Sequence, residues 1–175
     1  MLPLDIFLVA TANSEDYTNR GRIITPLKDR YGAQIRTHYP KSPDDEMEIV
    51  EQEYARFPDA SEQVTVPQYM KEVIAEITSL ARRSPEINQR SGVSLRVSIA
   101  NYETLLGSAF KRSLRHSEPS WTRISDLSSI VTSTTGKVEL EGVEEGRELK
   151  VVEGLIKKGV LNVFGRYFDA REFDD

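Results

Sequence analysis

A carboxamide and several guanidinium groups stand where this sequence could do chemistry. Asn13 follows an unbroken apolar run, Ile6, Phe7, Leu8, Val9 and Ala10, after only Thr11 and Ala12. An amide at the tip of a strand can accept a hydrogen bond and donate another, which suits it to hold a water against an anionic oxygen. Asn13 followed by Ser14 also suits a plain turn after a strand. Arg20, Arg22 and Arg30 come next, in a stretch ending Asp29-Arg30-Tyr31-Gly32. A guanidinium keeps its charge and can grip two oxygens at once. Arg30 can equally pair with Asp29 or Asp44 at the surface, where ion pairs stabilise little. Arg96 falls in the first turn of a predicted helix, where a cation opposes the helix dipole. An anion held there removes the conflict, because free N–H groups and guanidinium then act on the same charge. The plain alternative is an exposed arginine tolerated at a cost of roughly a few tenths of a kcal/mol.

The elements that must carry these groups follow from the apolar pattern. The run at 6–10 lacks alternation, which suits a strand covered on both faces. No later stretch offers a second such strand with a crossover helix. Either this strand pairs with another copy, or its sheet lies outside these residues. After Pro40 the pattern turns helical. Ser42-Pro43-Asp44-Asp45 is a helix start, with Met47, Val50, Tyr54 and Phe57 at helical spacing and Pro58 as the stop. Val64, Thr65 and Val66 form an extended link. Pro67 opens a second helix with Tyr69, Val73, Ile77 and Leu80 on one face, ended by Ser84 and Pro85. Ser94 caps a third, running to about Phe110, with Ile99, Tyr102, Leu106 and Ala109 inward. A fourth starts near Ser125, carries Leu127, Ile130 and Val131, and is broken at Thr132, Ser133, Thr134, Thr135 and Gly136. Further on, Leu149, Val152, Ile156, Val160, Val163 and Tyr167 keep helical spacing. Gly146, Gly154, Gly159 and Gly165 each cost about 1 kcal/mol in a helix interior, so one or two helices are expected there. The expectation is a mainly α fold in three parts: 1–40, 41–136 and 137–175.

Composition narrows the function. Charged residues make up 29% of 175 and apolar ones 38%, the balance of a globular chain. The net charge of −5 disfavours a nucleic-acid binder that relies on bulk charge. Only Lys111, Arg112 and Arg115 offer a local basic cluster. There is no cysteine, which excludes disulfides and thiolate metal sites. His38 and His116 lie too far apart for a local metal motif. The sole tryptophan, Trp121, is expected to pack in the core. No apolar run approaches the roughly 20 residues of a membrane helix, and Met1-Leu2-Pro3-Leu4-Asp5 lacks a signal-peptide start. A reducing cytoplasm is the expected compartment, with no membrane or nucleic-acid partner.

Three separate pieces resemble AAA+ ATPases of the magnesium-chelatase and MoxR-like group. Ala10-Thr11-Ala12-Asn13 is similar to the strand end of the sensor-1 region. Leu27-Lys28-Asp29-Arg30-Tyr31-Gly32 is similar to the arginine segment that follows it. Gly92-Val93-Ser94-Leu95-Arg96-Val97-Ser98 is similar to the opening of the sensor-2 helix in the lid. Their order agrees with the family, and together they span most of residues 6–131. The resemblance implies that 1–40 is a remnant of the α/β core, 41–136 the helical lid and 137–175 a helical extension. It implies catalytic roles for Asn13, as sensor 1, and Arg30, as an arginine finger reaching a neighbour's nucleotide. Arg20 and Arg22 are rivals for that finger. It implies that Arg96 touches the γ-phosphate of the chain's own nucleotide. ATP and Mg²⁺ are the implied cofactors, a homo-oligomeric ring the implied assembly, and a client protein, such as a von Willebrand A-type partner, the implied target. The ring would couple hydrolysis to remodelling of a partner or to metal insertion.

The departures are as informative. No Gly-x-x-x-x-Gly-Lys-[Ser/Thr] occurs, and no apolar strand ends in paired acidic residues, so Walker A and Walker B are both missing. The chain therefore reads as the C-terminal part of such an ATPase, not expected to bind nucleotide tightly or to hydrolyse it alone. The alternative is a stand-alone helical interaction module of the same ancestry.

Overall fold

Ser42 starts the first helix, α1 (Pro43–Glu53), through a reciprocal cap. The Asp45 amide donates to Ser42 Oγ at 3.1 Å, and the Ser42 amide donates to the Asp45 carboxylate at 3.2 Å. Two amides that lack an intrahelical acceptor are thereby satisfied. The computed structural model describes residues 6–11, 29–56, 64–142 and 146–169. Beyond α1 these hold α2 (Gln68–Arg83), α3 (Arg96–His116), a 3-10 turn (Ile124–Ser129) that runs into α4 (Ile130–Thr135), and α5 (Arg147–Tyr167). Among the described residues there is no sheet, only two isolated bridges, Thr65 with Trp121 and Ile87 with Leu140. The fold is mainly α.

The chain divides into two compact units, Met1–Thr37 and His38–Asp175. In the first, the described residues 6–11 and 29–37 carry neither helix nor ladder. Ile6, Phe7, Leu8 and Val9 are exposed there. The strand expected at 6–10 is thus not formed among the described residues. An extended apolar run becomes a strand only beside a neighbour that takes its backbone groups.

In the second unit, α2 is the hub. Met70, Val73, Ile74, Ala75, Ile77 and Ala81 are all buried on it, because α1, α3 and α5 each pack against it. A helix covered from three sides is apolar over most of its girth. The single stripe expected from Tyr69, Val73, Ile77 and Leu80 was too narrow: Tyr69 lies at the surface and Leu80 is only partly covered. On α3, Val97, Tyr102, Leu105, Leu106 and Ala109 turn inward. The threonine-rich stretch before Gly136 stays helical, and the break falls at Gly136 itself, the C-cap of α4. Trp121 is half exposed rather than in the core; its backbone, not its ring, does the tying, in the bridge to Thr65.

Residues 147–167 form one continuous helix despite their glycines. Val151, Val152, Leu155 and Val163 bury against the same core as α1–α4. Gly159 explains how. A Cβ built there would stand 2.8 Å from Ile77 Cγ1, so only a glycine lets α5 approach α2 this closely. The seam is finished by polar contacts. The buried Glu76 accepts from Asn162 Nδ2 at 2.8 Å and Arg166 Nη2 at 2.6 Å, and Glu72 accepts from Tyr167 Oη at 2.7 Å. A second knot joins α3 to the 3-10 turn. Arg112 grips Asp126 through Nε at 3.2 Å and Nη2 at 3.0 Å, and also pairs with Glu118. The basic cluster of Lys111, Arg112 and Arg115 therefore has its middle member already spent on internal carboxylates.

Two tests follow from this packing. Gly159→Ala should lower the unfolding free energy by about 1–3 kcal/mol, since overpacking forces the two helices apart. Gly165→Ala, where a Cβ meets nothing, should raise it by roughly 0.5–1 kcal/mol. Urea titration of both variants checks the contrast. Stability should also fall in acid. Burial alone lifts Glu76, but Asn162, Arg166 and Arg83 outweigh it and hold the carboxyl below its ordinary 4.5. Burial likewise lifts Asp126, and Arg112, the Arg123 amide and Ser108 outweigh it, leaving it below 3.8. Groups with depressed folded values stabilise fully above their unfolded values and lose that contribution as pH drops through the folded ones. Tyr102 acts at the other end. Burial, then Glu51 and Tyr54, pushes its hydroxyl from 10.0 up to about 12, so its contribution is lost as pH rises through that interval. Urea midpoints across the pH range should decline at both ends.

Candidate functional site

The candidate site is the N-terminus of α3, where Arg96 occupies the first helical position. The loop leading to it is tied down residue by residue. Gln89 Nε2 donates to the carbonyls of Ala81, Ser84 and Ile87 at 3.2, 2.9 and 3.1 Å, closing the end of α2. The Asn88 amide donates to the Glu139 carbonyl at 2.8 Å, and the Glu141 amide to the Glu86 carbonyl at 3.0 Å. The segment after α4 therefore braces the loop before α3. Gly92 then turns the chain with φ of 71°, a left-handed conformation that favours glycine.

Val93, next in line, is wholly buried, and both of its backbone groups are held by side chains. Its amide donates to Tyr39 Oη at 3.2 Å, and its carbonyl accepts from Arg82 Nε at 3.1 Å. Arg82 in turn donates to both oxygens of Glu46, from Nη1 at 2.6 Å and Nη2 at 3.1 Å. Its guanidinium lies 4.4 Å from the centre of the Tyr39 ring, in cation–π contact. Ser98 Oγ donates to Glu46 Oε1 and stands 2.6 Å from Thr78 Oγ1. Arg96 is thus bracketed. Val93, three residues before it, and Ser98, two after, are both fastened to the Arg82–Glu46 pair.

Arg96 itself is exposed, and its guanidinium makes no ion pair or hydrogen bond among the described residues. The first turn of α3 holds no acidic residue. Arg90, just before Gly92, is likewise exposed without an ion pair among the described residues. The helix backbone offers an anion less than the sequence suggests. The Arg96 amide donates to Ser94 Oγ at 3.3 Å, and the Val97 amide to the Ser94 carbonyl at 3.1 Å. The positive end of this site is therefore mostly guanidinium.

Arg30 lies in a turn of the N-terminal unit, exposed, and makes no ion pair with Asp29 among the described residues. Asn13, Arg20 and Arg22 lie outside the described residues. The pair Arg82 and Glu46, and Tyr39 with them, were not singled out by sequence. Arg82 looks like an ordinary cation in a last helical turn, and Glu46 like one of several acids in a first turn. No group of three or more His, Asp or Glu among the described residues is arranged to hold a metal ion. No helix among them is long and apolar enough to cross a membrane. Comparison with protein-family models, with curated proteins and with solved structures finds no match in any of the three.

Removing one member of the pair should be costly. Its side chains are 12% and 3% exposed for Arg82 and Glu46, so either Arg82→Met or Glu46→Met leaves an opposite charge buried alone. Each single change should destabilise by about 3–5 kcal/mol, and the double change by less than the sum of the two. A double-mutant cycle in urea measures the difference.

Proposed function

We propose that these residues are the sensor-1-to-lid portion of an AAA+ ATPase of the magnesium-chelatase/MoxR-like group, with the nucleotide cradle supplied by polypeptide outside them. The observation that carries this reading is Arg96: a guanidinium with no ion pair or hydrogen bond among the described residues, mounted on a helix terminus held by the Val93 backbone on one side and the Ser98 side chain on the other. In this reading Arg96 stabilises charge on the γ-phosphate of the chain's own nucleotide. Asn13 orients the attacking water, and Arg30 is delivered to the neighbour's nucleotide in a ring. Phosphoryl transfer asks the protein for positioning and positive charge more than for covalent chemistry, which suits an amide and two guanidiniums. Mg²⁺ and the bulk of ATP belong to the cradle, for which these residues offer no P-loop. Ring assembly, a client protein and a cytoplasmic setting go with the same reading.

Calorimetric titration of the 175-residue chain with Mg–ATP should show no micromolar binding. Micromolar affinity would overturn the assignment of the cradle to other polypeptide. In an assembled ATPase containing these residues, Arg96→Ala and Arg30→Ala should each cut turnover by at least about 10²-fold. Arg96→Ala should leave the unfolding free energy within about 0.5 kcal/mol, since the side chain is exposed. Unchanged turnover in both variants sinks the reading.

One observation favours a second reading, a stand-alone helical interaction module: His38–Asp175 closes a core of its own. The coding frame ahead of this sequence separates the two. A Gly-x-x-x-x-Gly-Lys-[Ser/Thr] stretch there supports the ATPase; its absence, with no partner chain supplying one, favours the module.

A further inference from the structure

The groups that hold the Arg96 terminus differ in how firmly they are set. Glu46 is buried, Arg82 is largely covered, and the two are bonded to each other twice. Tyr39 is 49% exposed and holds Val93 by one neutral hydrogen bond. Leu95, the N-cap of α3, has no side-chain acceptor to offer, and Gly92 leaves the turn before it intrinsically soft. The junction depends on outside side chains for its stiffness. One of them, Tyr39, is the second residue of the helical unit, two positions past Thr37. It stands three residues before the Ser42 cap that anchors α1, so residues 38–41 are a short tether between a fixed point and the Val93 amide.

We infer that Tyr39, Arg82 and Glu46 are positioning residues for Arg96, and that Tyr39 is the releasable one. Arg82 and Glu46 set the terminus permanently. Tyr39 completes the setting only while the chain entering the helical unit keeps its path. Displacing residues 38–41 withdraws the hydroxyl from Val93 and loosens the turn that carries Arg96, with the core untouched. This gives the arginine a fastened and an unfastened state governed by the preceding chain. Its functional meaning rests on Arg96 as the phosphate contact; the fastening itself does not.

Amide hydrogen exchange by NMR on the 175-residue chain tests the fastening. Tyr39→Phe keeps the ring over Arg82 and deletes only the hydroxyl. It should speed exchange of the Val93 amide about 10-fold, the scale of one lost hydrogen bond, and leave α5 amides unchanged. Tyr39→Leu should speed it further. Unaltered protection of Val93 in Tyr39→Phe, or a uniform rise that includes α5, overturns the inference. A second arm titrates the same chain with inorganic tripolyphosphate while the Arg96 Nε–H resonance is followed. The wild type should respond, Tyr39→Phe should bind at least about 5-fold more weakly, and the two replacements Tyr39→Phe and Arg96→Ala together should be no weaker than Arg96→Ala alone. A wild type that binds while Tyr39→Phe binds equally well refutes positioning. A wild type whose Arg96 does not respond agrees with a cradle outside these residues, and the exchange arm alone then decides the fastening.

Discussion

A carboxylate and a guanidinium taken out of water must be given nearly every bond they can make, or the unmet desolvation outweighs their attraction. Glu46 and Arg82 meet that condition, and the condition organises the whole helical unit. Glu46 spends its oxygens on two guanidinium nitrogens and on Ser98; Arg82 has Nε left over and gives it to the Val93 carbonyl. Those acceptors and donors lie on α1, α2, the turn before α3 and α3 itself. Shifting any one of them by an ångström would strand a buried charge. The same logic recurs, less deeply, where Glu76 binds α2 to α5 and where Arg112 binds α3 to the 3-10 turn. Apolar burial supplies the bulk of the stability, but it is non-directional. The three polar knots are directional, and with close contacts such as Gly159 against Ile77 they set the register in which the apolar faces meet.

The seam between α2 and α5 shows why register matters. Its fit depends on the absence of a methyl group at Gly159 opposite Ile77. A slip of one residue along α5 would put Lys158 or Val160 against Ile77. The glycine that weakens α5 as an isolated helix is the residue that lets it belong to the core. Local propensity and tertiary packing pull in opposite directions here, and packing wins because a buried helix face contributes more than the roughly 1 kcal/mol that glycine loses.

Much of this was legible in the amino acids, and the limits are physical. Ser42, Pro43 and the acids after them announce α1 because capping is a local interaction spanning three residues. The ends of α2 and the inward positions Tyr102, Leu106 and Ala109 of α3 are legible because helical period is local too. Glu46 and Arg82 are 36 residues apart, and nothing in either neighbourhood distinguishes them from surface charges. The breadth of the buried face of α2 was hidden for a related reason: how many helices cover a face is decided by partners elsewhere in the chain. The segment holding Asn13, Arg20 and Arg22 lies outside the described residues, so that part of the candidate site rests on sequence alone.

Arg96 and Arg112 make the central functional distinction. Both are on α3, and both have basic or polar company in sequence. Arg112 is surrounded by acceptors, Asp126, Glu118 and the Trp121 carbonyl, and its charge is neutralised internally. Arg96 has none among the described residues, yet the turn that carries it is fastened through the Val93 backbone and the Ser98 hydroxyl. Holding a free cation still lowers the ordering cost when an anion arrives, because the mount does not have to be organised at that moment. The commitment of the Arg96 and Val97 amides to Ser94 sharpens the point further. A terminus with open amides would form a nest able to wrap a phosphate by itself. One whose first two amides are satisfied locally offers chiefly a planar fork, suited to touch the last oxygens of a ligand that something else already holds. That division of labour suits the lid arginine of the function proposed above, acting on a triphosphate cradled elsewhere, and it is a poor design for a self-sufficient anion site.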